Sequence, residues 1–358
     1  MTRPTFAQIH LDALTHNLQR VRHYAPASRI MAVIKADAYG HGVIAAATAL
    51  ADADAFALAT IEEACQLRDA EIDKPLVVLQ GVNDDEDVRL AAKAGLELVV
   101  HSGYQAELLK RWPTTQPLKL WLKIDTGMHR LGLSPGEFVA LYPKLKVLPF
   151  VKSLRAMTHF ASADETDSEQ TRQQLICFDA AVDKLQIAQS LANSAAIIHA
   201  PKTRRDWVRP GIMLYGASPF AQLNAGQFGL QAVMELVSRV VAIRDLSAGE
   251  SVGYGGRFVT RRPSRIAVAA IGYGDGYPRH LPDGTPVLIN GKNATLAGRV
   301  SMDSITIDVT DLESSVVVGD KVVLWGPGLP VESIADLAGT INYELLTGVS
   351  PRVPRLYS

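Results

Sequence analysis

MAVIKADAYGHGVIAAATALADADAFALAT, residues 31–60, holds two short apolar runs separated by a longer stretch of small apolar residues. MAVI (31–34) and AFALAT (55–60) are nearly continuous in apolar residues rather than alternating, the pattern of strands covered on both faces. GVIAAATALADA (42–53) carries its apolar residues at helical spacing. Strand, helix and strand in that order predict a parallel sheet.

The alternation continues outward from this unit. PLVVLQ (75–80), LELVVH (96–101), LKLWLKI (118–124), SLRAMTHF (153–160), AAIIHA (195–200) and GIMLYG (211–216) are further strand candidates. SEQTRQQLICFDAAVDKLQIA (168–188) is a clear helical stretch among them. Eight candidates in sequence predict an α/β fold with a closed (β/α)8 TIM-like barrel, an open doubly wound sheet being the alternative. The link at 201–210 is short for a full helix.

Beyond residue 225 the texture changes. SRVVAIRDL (238–246), SRIAVAAIGY (264–273), TPVLIN (285–290), ATLAGRV (294–300), SITIDV (304–309) and KVVLWG (321–326) are strand-like and separated by turn residues. Asn290-Gly291-Lys292-Asn293 reads as a hairpin. The expected organisation is a barrel over residues 1–225 and a smaller, mostly β C-terminal domain over 226–358, with the boundary in FAQLNAGQFG (220–229).

Lys plus Arg is 36 and Asp plus Glu is 37 in 358 residues, a net charge of −1. That balance argues against a nucleic-acid partner and supplies no polybasic patch for a membrane. With 47% hydrophobic and 20% charged residues, the chain has globular composition. Two cysteines, Cys65 and Cys177, suit a reducing compartment. The opening MTRPTFAQIHLDALTHNL has no long apolar run and no window reaches about 18 consecutive apolar residues, so the sequence predicts neither signal peptide nor membrane helix. Cytoplasmic location is expected. The nine histidines show no HExxH-like spacing, so no metal is expected.

Lys35 follows MAVI directly, which places it at the C-terminal end of the first barrel strand, where barrel enzymes carry their chemistry. Beside an apolar run its ammonium is disfavoured, and the neutral amine suits condensation with a carbonyl. A snorkelling lysine would occupy the same position. Tyr254, in the glycine-rich SVGYGG (251–256), Arg209, before Pro210-Gly211, and His159, at the end of the sixth candidate, also read singly as a packed tyrosine, a surface charge and a structural histidine.

In combination they are more specific. VIKADAYGHG (33–42) resembles the pyridoxal-phosphate attachment segment of the alanine racemase family. KIDTGMHRLG (123–132), THFASADE (158–165), NSAA (193–196), RPGIMLYG (209–216), SVGYGG (251–256), IGYGDGYPR (271–279), GRVSMD (298–303) and INYE (341–344) resemble further landmarks of that family, in order and across essentially the whole chain.

The resemblance implies a pyridoxal 5'-phosphate enzyme that interconverts L- and D-alanine by a two-base mechanism, feeding peptidoglycan synthesis or alanine catabolism. By it, Lys35 holds the cofactor and serves as base on the D-side, while Tyr254 serves the L-enantiomer. Arg209 faces the pyridine nitrogen. Being donor-only, it leaves that nitrogen unprotonated, which weakens the electron sink and suppresses transamination. His159 links Arg209 to Tyr254. Tyr39, Ser194, Gly211, Ile212 and Tyr343 hold the phosphate. Arg130 receives the substrate carboxylate, and Met302, Asp303 and Tyr273 lie on the substrate side. Lys123 matches a position open to carbamylation, a role chloride could fill instead. Tyr254, Tyr273, Met302 and Asp303 reach the other subunit of a head-to-tail homodimer with shared active sites. Tyr343 and Tyr273 keep the pocket small, which favours alanine over a broader range that includes serine or lysine. A non-catalytic pyridoxal-phosphate carrier or regulator would have no use for Tyr254.

Overall fold

The computed structural model describes residues 4–111, 116–221 and 223–358, with the backbone alone at 313–315. Within the boundary stretch 220–229, residue 222 lies outside the described residues. The chain divides into two compact units. One comprises Asn17–Ala38 and Val43–Leu214; the other comprises the N-terminal residues to His16, Tyr39–Gly42 and Tyr215–Ser358.

Strand β1 (Phe6–Ile9) belongs to the second unit. The first unit is a closed parallel barrel of β2 (Arg29–Val33), β3 (Ala55–Leu58), β4 (Leu76–Val78), β5 (Glu97–Val100), β6 (Leu118–Lys123), β7 (Val151–Met157), β8 (Gln189–Ser190) and β9 (Trp207–Val208). Register runs from Met31 opposite Ala55 round to Arg29 opposite Trp207, which closes the ring. Side-chain caps start several of the helices that follow strands. Thr60, Asp84, Ser134, Ser168 and Asn193 each accept a backbone N–H from three residues on, satisfying a donor the helix leaves open.

The first six expected strands are present, and the barrel expectation holds in place of the open sheet. The last two candidates were misplaced. AAIIHA falls in the helix Ser194–His199, and GIMLYG in the 3₁₀ turn Ile212–Tyr215. The true strands are the two-residue β8 and β9 that precede them. Asn193 caps its helix immediately after β8, so the buried alanines and isoleucines that follow are helical. NSAA and Arg209 therefore follow strands rather than precede them, and His159 lies two residues beyond β7 rather than at its end.

At the N-terminal end of the barrel, Glu97 is almost fully buried and accepts from Trp121 Nε1 at 2.9 Å, Arg155 Nη1 at 2.6 Å and Lys119 Nζ at 3.1 Å. The Arg155 guanidinium lies 4.9 Å from the ring of Trp121 and 5.5 Å from that of Trp207. This polar plug is at the end opposite to Lys35.

The second unit contains β10 (Met234–Leu246), the small pair β11 (Ser251–Val252) and β12 (Phe258–Val259), β13 (Ser264–Ala269), β14 (Pro286–Ile289), β15 (Lys292–Leu296), β16 (Ile305–Asp308), β17 (Lys321–Trp325) and β18 (Arg355–Tyr357). The main sheet runs β13-β16-β15-β14-β17-β10-β1-β18, with a further β13–β10 pairing. The hairpin is present: Ile289 pairs with Lys292 across Asn290 and Gly291, whose φ values of 48° and 77° suit the tight turn that Asn-Gly favours. Among the described residues no helix is long and apolar enough to cross a membrane.

Candidate active site

β2 ends at Val33, and Lys35 begins the helical turn Lys35–Gly40. Ala36, Asp37, Ala38 and Tyr39 have φ between 51° and 53°, so this turn is wound left-handed. Each L-residue in that conformation costs roughly 1–2 kcal/mol, so the surroundings must hold it. Ala38 N–H donates to Ile34 O at 2.9 Å, Ala36 N–H to Glu63 Oε1 at 2.7 Å, and Val43 N–H to Asp37 Oδ1 at 2.7 Å. Burial is the main cause that lowers the Lys35 pKa; Arg130 adds to it and Glu63 opposes it.

Further titratable groups follow the neighbouring strands. Lys123 is the last residue of β6. Burial lowers its pKa to about 8, assisted by Arg209, Arg130 and Lys35, with Asp125 opposing. Arg130 lies in the loop that Asp125 organises. Asp125 Oδ1 accepts the N–H groups of Gly127, Met128 and His129 at 3.0–3.1 Å, and Oδ2 lies 3.1 Å from His129 Nδ1. Burial would raise the Asp125 pKa, but these donors bring it below the usual value.

Arg209 follows β9 directly and is 5% exposed. Its Nη1 donates to Ser190 O and Oγ, both at 2.7 Å, and its Nη2 donates to Thr158 O and Leu191 O. The same Nη2 lies 3.4 Å from His159 Nδ1. Burial lowers the Arg209 pKa to about 10, so the group remains charged near neutrality. Burial, then Arg209, Lys123, Arg130 and Lys35, holds His159 well below its ordinary value. Ser194 is buried, and its Oγ accepts from Gly211 N–H at 2.9 Å and Met213 N–H at 3.4 Å. Ile212, fully buried, sits between those two donors. The barrel thus brings Lys35, Lys123, Arg130, His159 and Arg209 into one electrostatic cluster and places Ser194 against Gly211 and Ile212.

The remaining predicted residues lie in the second unit. The Tyr39 ring is 6.0 Å from that of Tyr343 and stacks on Tyr215 at 4.6 Å; burial pushes its phenol pKa up to about 12. Tyr273 N–H donates to Ser301 O and Gly274 N–H to Met302 O, which ties IGYGDGYPR to the loop of Met302 and Asp303. A Cβ on Gly272 would stand 2.2 Å from Ser301 O, so only glycine permits this approach. Tyr254 occupies the turn between β11 and β12 and is 69% exposed.

This combination of barrel and β unit has direct counterparts. Residues 9–219 match the family described as alanine racemase, N-terminal domain, and residues 233–357 match alanine racemase, C-terminal domain. The chain belongs to the alanine racemase family. Alanine racemase from Thioalkalivibrio sulfidiphilus is 52% identical over 356 residues, covering 99% of this chain and 98% of the relative; that from Chromohalobacter salexigens is 48% identical over 359 residues, covering 100% and 98%. The crystal structure of biosynthetic alanine racemase from Pseudomonas aeruginosa aligns with a TM-score of 0.97 at 44% identity, covering both chains fully. Alanine racemase from Acinetobacter baumannii aligns at 0.95 and 39%, also over the full length of both.

Several residues that touch these candidates were not singled out from the sequence. Asp125 organises the Arg130 loop. Ser190 and Thr158 position Arg209. Arg352 donates from Nε to Asp275 Oδ1 at 2.9 Å and from Nη2 to Asp303 Oδ1 at 2.8 Å, beside Met302. Glu63 touches the Lys35 turn; its signal was present, since Thr60-Ile61-Glu62-Glu63 has the spacing of a capping box.

Proposed function

We propose that this chain interconverts L- and D-alanine with pyridoxal phosphate attached to Lys35, and that Lys35 and Tyr254 carry protons on opposite faces of the α-carbon. The observation that carries the reading is the half-buried Lys35 just beyond the end of β2, within an electrostatic cluster that contains Lys123, Arg130 and Arg209. Such an excess of cations fits a ligand with a phosphate and a phenolic oxygen together with an amino-acid carboxylate. The donor set fits as well. The Ser194 hydroxyl and the backbone around Gly211 and Ile212 suit the phosphate, as do the hydroxyls of Tyr39 and Tyr343.

Pyridoxal phosphate, when bound, supplies an electron sink for the charge left at the α-carbon after proton removal. The protein's task is to hold and move that proton. Lys35 removes it from the D-enantiomer as a neutral amine, a form that burial makes easier to reach. Tyr254 removes it from the L-enantiomer. Each well-placed group of this kind contributes about 10²–10⁴-fold. Arg209, fixed by carbonyls of the barrel, can donate to the ring nitrogen and cannot take a proton from it. His159 passes this restraint toward Tyr254. Arg130 presents a planar fork to the substrate carboxylate. Lys123, neutral more often than an ordinary lysine because burial lowers its pKa to about 8, is suited to carbamylation, which would turn a cation into an anion that orients Arg130; chloride could take that place.

In this reading the mostly β part expected over residues 226–358 serves to complete an active site. Exposure of Tyr254 and of Met302, which is 53% exposed, supports delivery of these residues, with Tyr273 and Asp303, to a partner in a head-to-tail homodimer. A cytoplasmic enzyme that supplies D-alanine for peptidoglycan or serves alanine catabolism fits this chemistry. Polarimetry of enantiopure L-amino acids with the pyridoxal-phosphate-loaded chain tests the reading. Alanine should lose its rotation fastest. Equal rates with serine or lysine would replace it by a broad racemase, and no change with any amino acid would remove it.

A further inference from the structure

The strained turn after Lys35 is tied to the rest of the barrel by a side chain of a different segment. Glu63 lies in the first turn of helix Ile61–Asp69, three residues beyond its cap Thr60, and is half-buried. A glutamate at that position ordinarily returns to the N–H of the cap residue. Here the two oxygens reach elsewhere. Oε2 accepts from Ala59 N–H and Oε1 from Ala36 N–H, each at 2.7 Å. Ala59 follows the end of β3, and Ala36 follows Lys35 at the end of the adjacent β2. One carboxylate therefore spans two neighbouring strand ends, and its second bond falls on the first of four consecutive left-handed residues.

We propose that Glu63 is a positioning residue for Lys35: its carboxylate clamps Ala36 to Ala59 and keeps the left-handed turn, and with it the reactive lysine, fixed at the barrel mouth. Bonds to an ionised acceptor are about twice as strong as neutral ones, which suits a side chain opposing local backbone strain. Glu63 is also a carboxylate facing the Lys35 ammonium. Arg130, in the loop after β6, opposes it on the same group, and the Lys35 charge acts in turn on Lys123 at the end of β6 and on His159 beyond β7. The consequence for catalysis rests on the reading of Lys35 as the cofactor-bearing residue; the clamp itself does not.

The test uses the full-length chain without cofactor, comparing wild type with Glu63→Gln and Thr60→Ala. Glu63→Gln keeps the side-chain size but replaces one acceptor oxygen by a donor. Amide hydrogen exchange at Ala36 and Ala59 should accelerate at least about tenfold in Glu63→Gln, with β5–β7 unchanged. The pH profile for modification of Lys35 by trinitrobenzenesulfonate should move to lower pH, because a charge that favours the ammonium is lost. Thr60→Ala, which removes the cap of the same helix, should leave both readouts in place. Unchanged exchange at Ala36 would overturn the clamp, as would equal loosening by Thr60→Ala, since Glu63 would then act only on its own helix. If the exchange responds as expected while pyridoxal phosphate fails to attach to Lys35, the clamp stands and the functional reading falls.

Discussion

Arg209 Nη2 lies 3.4 Å from His159 Nδ1, joining the residue that follows β9 to the loop beyond β7. A guanidinium can only donate, so Nδ1 is the acceptor and the neutral imidazole carries its proton on Nε2. The depressed pKa of His159, caused first by burial and then by Arg209, agrees with this tautomer. Arg209 is in turn held by Thr158, Ser190 and Leu191, so its position is set by barrel backbone rather than by ligand.

Arg209→Lys keeps a positive charge and loses the planar fork that reaches several carbonyls at once. Racemisation should fall by about 10²-fold or more, the scale for losing one well-placed donor group. Steady-state kcat measures this. A variant with wild-type kcat would mean that charge alone suffices and that the fork has no part in catalysis.

Tyr254→Phe should slow removal of the α-proton from L-alanine more than from D-alanine. Solvent deuterium exchange into each enantiomer distinguishes the two directions. Equal losses would contradict a division of labour between Tyr254 and Lys35.

The proposed sharing of active sites between two subunits predicts complementation. Chains carrying Lys35→Ala and chains carrying Tyr254→Phe, each weakly active alone, should regain activity when unfolded together and reassembled. A heterodimer verified by mass that shows no recovery would place both residues of one site in the same subunit.

Barrel strands such as β2, β3 and β4 were legible because Met31–Ile34, Ala55–Leu58 and Leu76–Val78 are covered on both faces and leave continuous apolar runs. β8 and β9 have two residues each, too few for any periodicity, while the adjacent buried helix at Ser194–His199 is as apolar as a strand. Short apolar runs do not distinguish the two. β1 and β18 were likewise missed, since four and three residues drawn from opposite ends of the chain become a sheet only through pairing with β10 and each other. The candidate chemistry at Lys35, Arg209 and Tyr254 was visible as residue types in motifs. The left-handed turn and the Glu63 contact were not, because handedness leaves no side-chain pattern and a bond between residues 36 and 63 exists only after β2 and β3 pair.

Lys123 gives a pH signature. Its folded-state pKa of about 8 lies below the ordinary 10.5, so between these values the unfolded chain binds more protons than the folded one. Stability contributed by this group therefore rises with pH across that window, and its cost is complete below about 8. Urea midpoints of the cofactor-free chain should rise more steeply from pH 8 to 10 in wild type than in Lys123→Met. Identical slopes would show that Lys123 titrates normally.

Glu97→Ala should destabilise the barrel by about 3–5 kcal/mol, because it leaves the Arg155 guanidinium in place without its buried partner. Denaturant unfolding measures this. Exchange at the Lys35 turn should be little affected, since the plug occupies the opposite end of the strands. A loss below about 1 kcal/mol would mean that water takes over the role of Glu97.

Enantiopure L-alanine incubated in deuterium oxide with the pyridoxal-phosphate-loaded chain gives the most direct measurement. Optical rotation should decay to zero with deuterium at the α-carbon, and both changes should vanish when Lys35 is replaced by alanine. Undiminished rotation, or racemisation that survives loss of Lys35, would contradict the assignment of this lysine to cofactor and proton.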